Sequence, residues 1–287
     1  MAKVTISIVA YNGREYIKDC LESLKAQTFQ DFEVFVIDNA SSDGTLEEVS
    51  RIYPEAYTIP LPKNVGFGAA HNISIGASKS EWILVLNQDA VLNSDCLEKM
   101  LHNKDYAAIG PLLKRPDGSI DTAGMRKSLY GKVQDITVKT EPKEVWGISA
   151  ACVLYSRDAL QKIAYKHANR DLPEYFDEYF FMYKEDVDLA ARLRKFGYKA
   201  WLESNAIGIH DRTTALSRSK RPEYIRFNSY KNHWLYLIKN ARFLELPAIF
   251  IYETGKFFYL LIKEPKTLLS VRDVFRLIPV MIKRRYV

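Results

Sequence analysis

The sequence predicts an α/β fold: a mostly parallel sheet with helices on both faces, followed by a helical C-terminal extension. Three observations carry that expectation. Short β-branched runs alternate with helical patterns through the first 115 residues, as successive strand–helix units do. The strand runs are near-continuous Val, Ile, Leu and Phe, which is what burial on both faces requires. A chain of 287 residues that is 47% hydrophobic and 26% charged can bury a sizeable core.

The elements follow in order. Residues 5–11 form a β-branched strand, 15–26 a helix, 32–38 a second strand and 45–52 a short helix, which Ser42-Asp43-Gly44 introduces with the residues of a helix N-cap. Residues 57–61, 68–77, 82–86 and 96–104 continue the alternation. From Pro111 the pattern weakens. Asp117-Gly118 signals a hairpin, residues 131–144 are polar, 145–155 are expected as one long strand, and 157–165 as a helix. An aromatic and acidic block at 174–186 runs into a helix that Gly197 closes. A strand at 201–209 ends at His210, and the rest is helical and basic.

Composition excludes several classes. Three separated cysteines, Cys20, Cys96 and Cys152, fit neither a disulfide framework nor a zinc ribbon and point to a reducing compartment. The chain passes from Met1-Ala2-Lys3 straight into Val4–Val9, too short a run for a secretory leader. The apolar stretch 246–262 is interrupted by Glu253 and Lys256, short of a spanning helix. A cytoplasmic protein is therefore expected. The net charge is +6, and residues 263–287 hold seven basic residues against two acidic ones. So local an excess argues against a nucleic-acid partner and for a basic C-terminal surface.

In parallel sheets, ligands bind beyond the carboxyl ends of the strands. Four such ends deliver Asn or Asp: Tyr11-Asn12-Gly13, Asp38 to Gly44, Lys63 to Gly68, and Asn87-Gln88-Asp89. Turn chemistry accounts for any one of them. Further on, the helix after the acidic block has an apolar stripe at Leu189, Ala190, Leu193 and Phe196 with Asp186 at its head. Glu185 falls between faces, and Asp188 pairs with Arg192 at i, i+4 on the expected outer side. An inward Asp186 under aromatic residues has its pKa raised, as a general base needs.

The segments VTISIVAYN (4–12), VIDNASSDG (36–44), NVGFGAAHN (64–72), LNQDA (86–90) and FDEYFFMYKEDVDL (176–189) together resemble the family 2 glycosyltransferases of the GT-A fold, a Rossmann-like architecture. Within these the chain is most similar to bacterial rhamnosyltransferases. The resemblance covers about residues 4 to 240. It implies a nucleotide-sugar-binding half at 1–110, an acceptor-binding half at 111–215, and a basic helical region at 216–287 that associates with membrane or with a second subunit.

The resemblance also implies roles. The donor is a nucleotide-diphosphate sugar, dTDP-rhamnose or a UDP-sugar, and the reaction inverts the anomeric centre. The acceptor is a saccharide or lipid-linked saccharide of bacterial cell-surface polysaccharide synthesis. Asp89 binds a divalent cation, Mg²⁺ or Mn²⁺, and Asn87 stands where the family motif usually has Asp. His210 resembles a histidine that reaches the metal or diphosphate; a structural hydrogen bonder is the equal alternative. Asp38 accepts the N3–H of uracil or thymine, with Ala10, Tyr11 and Asn12 against the base. Asn64, Gly66 and Asn72, with Asn87 and Gln88, lie near ribose or phosphates. Asp186 is the catalytic base and Glu185 its supporter. Trp146, Phe176, Asp177 and Tyr183 shape the sugar and acceptor pocket or else belong to the core.

The tail offers a basic amphipathic stripe, Val271, Val274, Phe275, Ile278 and Ile282, broken by Pro279. It reads as a contact with the cytoplasmic membrane face, or as packing on the catalytic domain or in a homodimer. Two other classes compete. A dinucleotide-dependent oxidoreductase would use Gly66–His71, but GxGxxG fails at its sixth position and follows the third strand, not the first. A non-catalytic nucleotide-sugar-binding protein of the same fold would not need Asp38, Asp89 and Asp186 intact.

Overall fold

The computed structural model describes residues 2–167, 172–212 and 222–285; the expected boundary at 215 lies outside them. Strands β1 (Val4–Ala10), β2 (Phe32–Asp38), β3 (Tyr57–Pro60) and β4 (Trp82–Asn87) lie parallel in the order β3-β2-β1-β4, joined through helices α1 (Arg14–Lys25), α2 (Thr45–Ile52) and α3 (Phe67–Ala77). β5 (Ala90–Leu92), α4 (Cys96–Leu101), β6 (Ala108–Lys114), β7 (Ile120–Thr122), β8 (Met125–Lys127), β9 (Val133–Asp135) and β10 (Lys143–Val145) follow. Then come β11 (Cys152–Ser156), α5 (Arg157–Ile163), α6 (Glu185–Lys195), β12 (Ala200–His210), α7 (Glu223–Asn240), α8 (Leu246–Lys263) and α9 (Val271–Arg284).

Beyond β4 the sheet is mixed. β11 runs antiparallel between β4 and β6, β12 is parallel to β6, and β10 closes the far edge. The expected 145–155 strand is therefore two strands. Val145 pairs with β12 while Cys152 pairs with β4, and residues 146–151 cross between them. Continuous apolar composition hid this break, because every residue from 145 to 148 is needed under a helix or in the core whether or not it is in a strand.

Packing follows the periods. α1 buries Ile17, Cys20, Leu21 and Leu24, the i, i+3, i+4, i+7 stripe. On β1, Val4, Ile6 and Ile8 face one core with Leu84 and Leu86 of β4, whereas Ile83 and Val85 face the other. Two positions of β1 are polar and buried: Thr5 bonds Ser80, and Ser7 bonds His71 on α3 at 2.6 Å. The hairpin at Asp117-Gly118 forms, with Gly118 at φ +82. Gly44, at φ +87, is the N-cap of α2, and Asp43 accepts from the Thr45 amide beside it.

The C-terminal helices depart from expectation. α9 runs unbroken through Pro279, since its exposed outer turn can lose one backbone hydrogen bond. It buries Val274, Met281 and Arg284, while Phe275 and Ile282 of the expected stripe point outward. The larger apolar surface is on α8, which buries only Ile249, Glu253 and Leu260. No helix among the described residues is long and apolar enough to cross a membrane.

Candidate active site

Parallel register gathers the four Asn- and Asp-bearing ends. Ala10 lies beside Asp38, Val9 beside Asn87, and Asp38 beside Pro60. Side-chain amides then tie the ends together. Asn12, at φ +45, accepts from the Ser42 amide at 2.9 Å, and Gln88 makes a two-way bond with the Tyr11 backbone at 3.0 and 3.2 Å. Asn39 accepts from Val65 at 2.9 Å and donates to Asn64 at 3.1 Å. Asp38 is buried and accepts from the Ser41 amide at 3.2 Å. Tyr11 remains 48% exposed at the edge.

Several residues expected at the nucleotide have other work. Ala10 is fully buried and accepts from the Asn39 amide. Gln88 is committed to Tyr11. Asn72 is buried, accepting from the amides of Tyr175 and Phe176 and donating to Phe176 and Glu178. At Gly66, φ is +90 and a Cβ would collide with the Phe181 carbonyl, which accepts from Phe67 at 2.7 Å. That glycine lets the acidic loop close onto the strand ends. Asn39, which does hold the Asn64–Gly66 turn, is missing from the sequence-derived set because its partners lie more than twenty positions away.

Asp89 sits in the turn between β4 and β5. β5 pairs antiparallel with the end of β12 so that His210 lies opposite Ala90. This register delivers His210 Nε2 to 3.3 Å from Asp89 and 3.1 Å from the Asn87 amide. On its other side, His210 Nδ1 meets Asp121 of β7 at 2.8 Å. Burial opposes charge on this imidazole, yet hydrogen bonds to Asp121 and Asp89 outweigh it and hold its pKa up at about 9. Arg212 spans Asp121 and Asp135 at 2.8 and 3.0 Å. Asp121 had no signal in the sequence, since nothing local links it to a histidine 89 positions on.

Among the described residues no three His, Cys, Asp or Glu side chains converge on one metal position. The pair Asp89 and His210 nevertheless fits a divalent cation that fills the rest of its shell with diphosphate oxygens and water, as hard cations in phosphate sites do. Asp121 orients the histidine as an outer partner of a metal ligand would.

Asp186 heads α6. Its carboxylate accepts from the amides of Val187 at 2.7 Å and Ala150 at 3.3 Å. The neighbouring carbonyl, Ala151, accepts from the Asn87 amide at 2.9 Å. Asp89 and Asp186 thus flank one end of the β4–β11 pair. Burial raises the Asp186 pKa, the nearby Asp135 charge adds to it, and Lys184 opposes both. Glu185 is buried with Oε2 unpartnered, and desolvation followed by repulsion from Asp186 pushes it up to about 8.

Glu174 and Asp177 of the acidic block belong to a buried ion network. Phe176 and Asp177 are fully buried. Asp177 binds Lys239 and Arg284, each at 2.6 Å, and Glu174 binds Arg284 at 2.6 Å. The expected Asp188–Arg192 pair forms at 3.0 Å, but inside the protein rather than on the outer side. α7 lies over that face, and its Lys239 and Asn240 bind Asp188 at 2.7 and 2.9 Å. Phe196 of the expected buried stripe is 51% exposed. Asn232 of α7 donates to the carbonyls of Phe180, Met182 and Tyr183. It holds a loop in which Phe181, Tyr183 and Lys184 all have positive φ, a strained segment directly before the acids. Trp146 packs partly against the α6–α7 core, and Tyr183 is partly exposed.

Comparison with known proteins places this geometry. A family model described as "Glycosyl transferase family 2" matches residues 5–164. The chain is 25% identical over 244 residues to an N-acetylglucosaminyl-diphospho-decaprenol L-rhamnosyltransferase of Mycobacterium tuberculosis, covering 73% of this chain and 76% of that protein. Among solved structures it is similar to S. aureus TarS 1-349 in complex with UDP-GlcNAc, with TM-score 0.63, 18% identity, and coverage of 98% of this chain and 82% of that one. GalNAc-T7 with UDP, GalNAc and Mn²⁺ matches with TM-score 0.64 and 13% identity over 83% of this chain. The chain spans about half, 49%, of GalNAc-T7. The fold is the GT-A fold expected from the motifs, and this chain belongs to glycosyl transferase family 2.

Proposed function

We propose that this glycosyltransferase moves a sugar, with inversion, from a nucleotide-diphosphate donor to a hydroxyl of a saccharide or lipid-linked saccharide in cell-surface polysaccharide synthesis. The single observation that supports it best is the pairing of two acids at one sheet end: Asp89 beside His210, and Asp186 held by the Ala150 and Val187 amides. The rhamnosyltransferase relative favours dTDP-rhamnose as donor. The likeness to a protein that binds UDP-GlcNAc keeps a UDP-sugar as the second reading.

In this reading Asp38 and Tyr11 receive the base. Asp89 and His210 hold the divalent cation, which when bound withdraws charge from the departing diphosphate. The acceptor oxygen bonds the anomeric carbon as the bond to the diphosphate oxygen breaks. The hydroxyl proton passes to Asp186, whose raised pKa makes it a stronger base than an exposed aspartate. Glu185, kept protonated by burial, leaves Asp186 as the charged member of the pair.

Assay of nucleoside diphosphate release with Mg²⁺ or Mn²⁺ tests the proposal. Asp186→Asn is expected to lower kcat by about 10²–10⁴-fold while donor binding persists. Asp89→Ala is expected to abolish metal-stimulated release. Turnover that survives both substitutions would refute the assignment.

A further inference from the structure

The C-terminal helices carry a surface that the cleft does not use. α8 packs on α7 and the β8–β9 turn: Ile249 shares a core with Leu237 and Val133, and Tyr252 stacks on Tyr130 at 4.5 Å. The two charged residues inside α8 turn to that inner side. Glu253 is buried and meets His233 at 2.7 Å, and Lys256 lies over the Tyr230 ring. The outer side is therefore uncharged from Leu246 to Ile262. Phe250, Ile251, Phe258, Leu261 and Ile262 recur every three to four residues along one helical face, each 50 to 75% exposed, with Thr254 and Gly255 in the interval. Phe243 and Leu244, 83 and 90% exposed, precede it. So long an uncovered apolar stripe marks a contact surface.

Charge says what covers it. Between residues 242 and 285 the exposed charged side chains are Arg242, Lys263, Lys266, Arg272, Arg276 and Lys283, all cations. Lys266 meets Glu223 of α7 at 2.8 Å. The acids of the stretch are withdrawn: Glu245 binds Lys127 at 2.7 Å, Glu253 binds His233, and Glu264 and Asp273 are half-buried. On α9, Arg272, Phe275, Arg276, Pro279, Ile282 and Lys283 share one exposed face, so cations and apolar side chains alternate along it. A second copy of this chain would bring these cations against their own equivalents, with no exposed acid in the stretch to answer them. An anionic lipid surface supplies both the apolar layer and the opposite charge. α8 has 18 residues, and no helix among the described residues is long and apolar enough to cross a membrane. It suits the plane of the interface.

We infer that α8 lies flat in the headgroup boundary of an anionic membrane, its Phe250–Ile262 stripe toward the acyl chains and the α9 cations toward lipid phosphates. The apolar part of this contact is on α8 and not on the α9 stripe that the sequence suggests, since Val274 is buried. The contact is one helix away from the loop before Asp186, which Asn232 of α7 holds. It holds whichever donor and acceptor the enzyme uses.

Flotation of the full chain with vesicles tests this. Vesicles of phosphatidylglycerol mixed with phosphatidylcholine are expected to bind the protein about tenfold more tightly than phosphatidylcholine alone. Phe258→Ser with Ile262→Ser is expected to weaken binding about tenfold at every salt concentration. Arg272→Gln with Lys283→Gln is expected to weaken it about as much at low salt and to flatten its salt dependence. Both pairs are exposed and outside the cleft, so the melting temperature and nucleotide-sugar affinity are expected to stay unchanged. No binding to the mixed vesicles overturns the inference, as does equal binding to phosphatidylcholine alone. Unchanged binding after Phe258→Ser with Ile262→Ser overturns the seating of α8. A dimer in sedimentation velocity that the same pair dissolves makes this face a contact between copies and overturns the membrane assignment.

Discussion

The two sides of the cleft hold their loops with opposite chemistry. At the β1–β4 edge, neutral amides do it: Asn12, Asn39 and Gln88 each bond the backbone of a neighbouring turn. Around the acidic loop, buried ions do it: Glu174, Asp177 and Asp188 are locked to Arg192, Lys239 and Arg284. A neutral hydrogen bond is worth about 1 kcal/mol and ignores pH. A buried ion pair is costly to assemble but far more costly to break by halves. The edge should therefore tolerate single losses that the acidic loop cannot.

The strongest way to break this contrast is Lys239→Met. It removes the cation shared by Asp177 and Asp188, both fully buried, leaving Arg284 and Arg192 as their remaining cations, and is expected to cost about 3 kcal/mol in urea unfolding. A loss under 1 kcal/mol would erase the distinction. Next is acid. Lys239 and Arg192 outweigh the burial of Asp188 and hold its carboxyl down at about 2. Its folded pKa lies below the unfolded one, so the stability it adds is present above about pH 4 and vanishes as pH falls through about 2. Urea midpoints measured across that window should fall by the equivalent of roughly 2 kcal/mol for this residue.

Glu185 tests the same side in the opposite sense. Its folded pKa is raised to about 8, so stability falls as pH climbs from about 4 toward 8, where the unfolded chain ionises and the native one resists. Glu185→Gln should raise the melting temperature, with a gain on the order of 1–2 kcal/mol that grows over that range. A gain independent of pH would show that packing, not ionisation, is responsible. The smallest effect belongs to the edge. Gln88→Ala should cost about 1 kcal/mol at any pH and raise the donor KM by freeing Tyr11, a split visible in steady-state kinetics.

The same contrast explains what the sequence discloses. The β1–β4 edge is legible because each strand, turn and helix is contiguous and parallel packing brings equivalent ends together. Asp89, Asp186 and His210 could be singled out by their places after strands or at a helix head. The register that joins His210 to Asp89 runs through β5, three residues too short to predict. The ion network was illegible. Asp188 and Arg192 have the spacing of a solvated surface pair, and only the arrival of α7, some fifty residues later, turns that surface into an interior. Lys239 and Arg284 look like ordinary surface charges until their partners are known. Apolar composition likewise could not show that residues 146–151 cross the sheet, nor that α8 rather than α9 presents the exposed face.

Arg284 reaches back 110 positions to Glu174 and also grips Asp177. On a ribosome, which makes chain from the N-terminus, the acidic loop emerges long before this counter-ion exists. The strand ends can assemble while translation continues, but Glu174 and Asp177 lack the Arg284 pairing until α9 has left the exit tunnel. A nascent chain paused before that point would present a finished β1–β4 edge with its acidic loop unset.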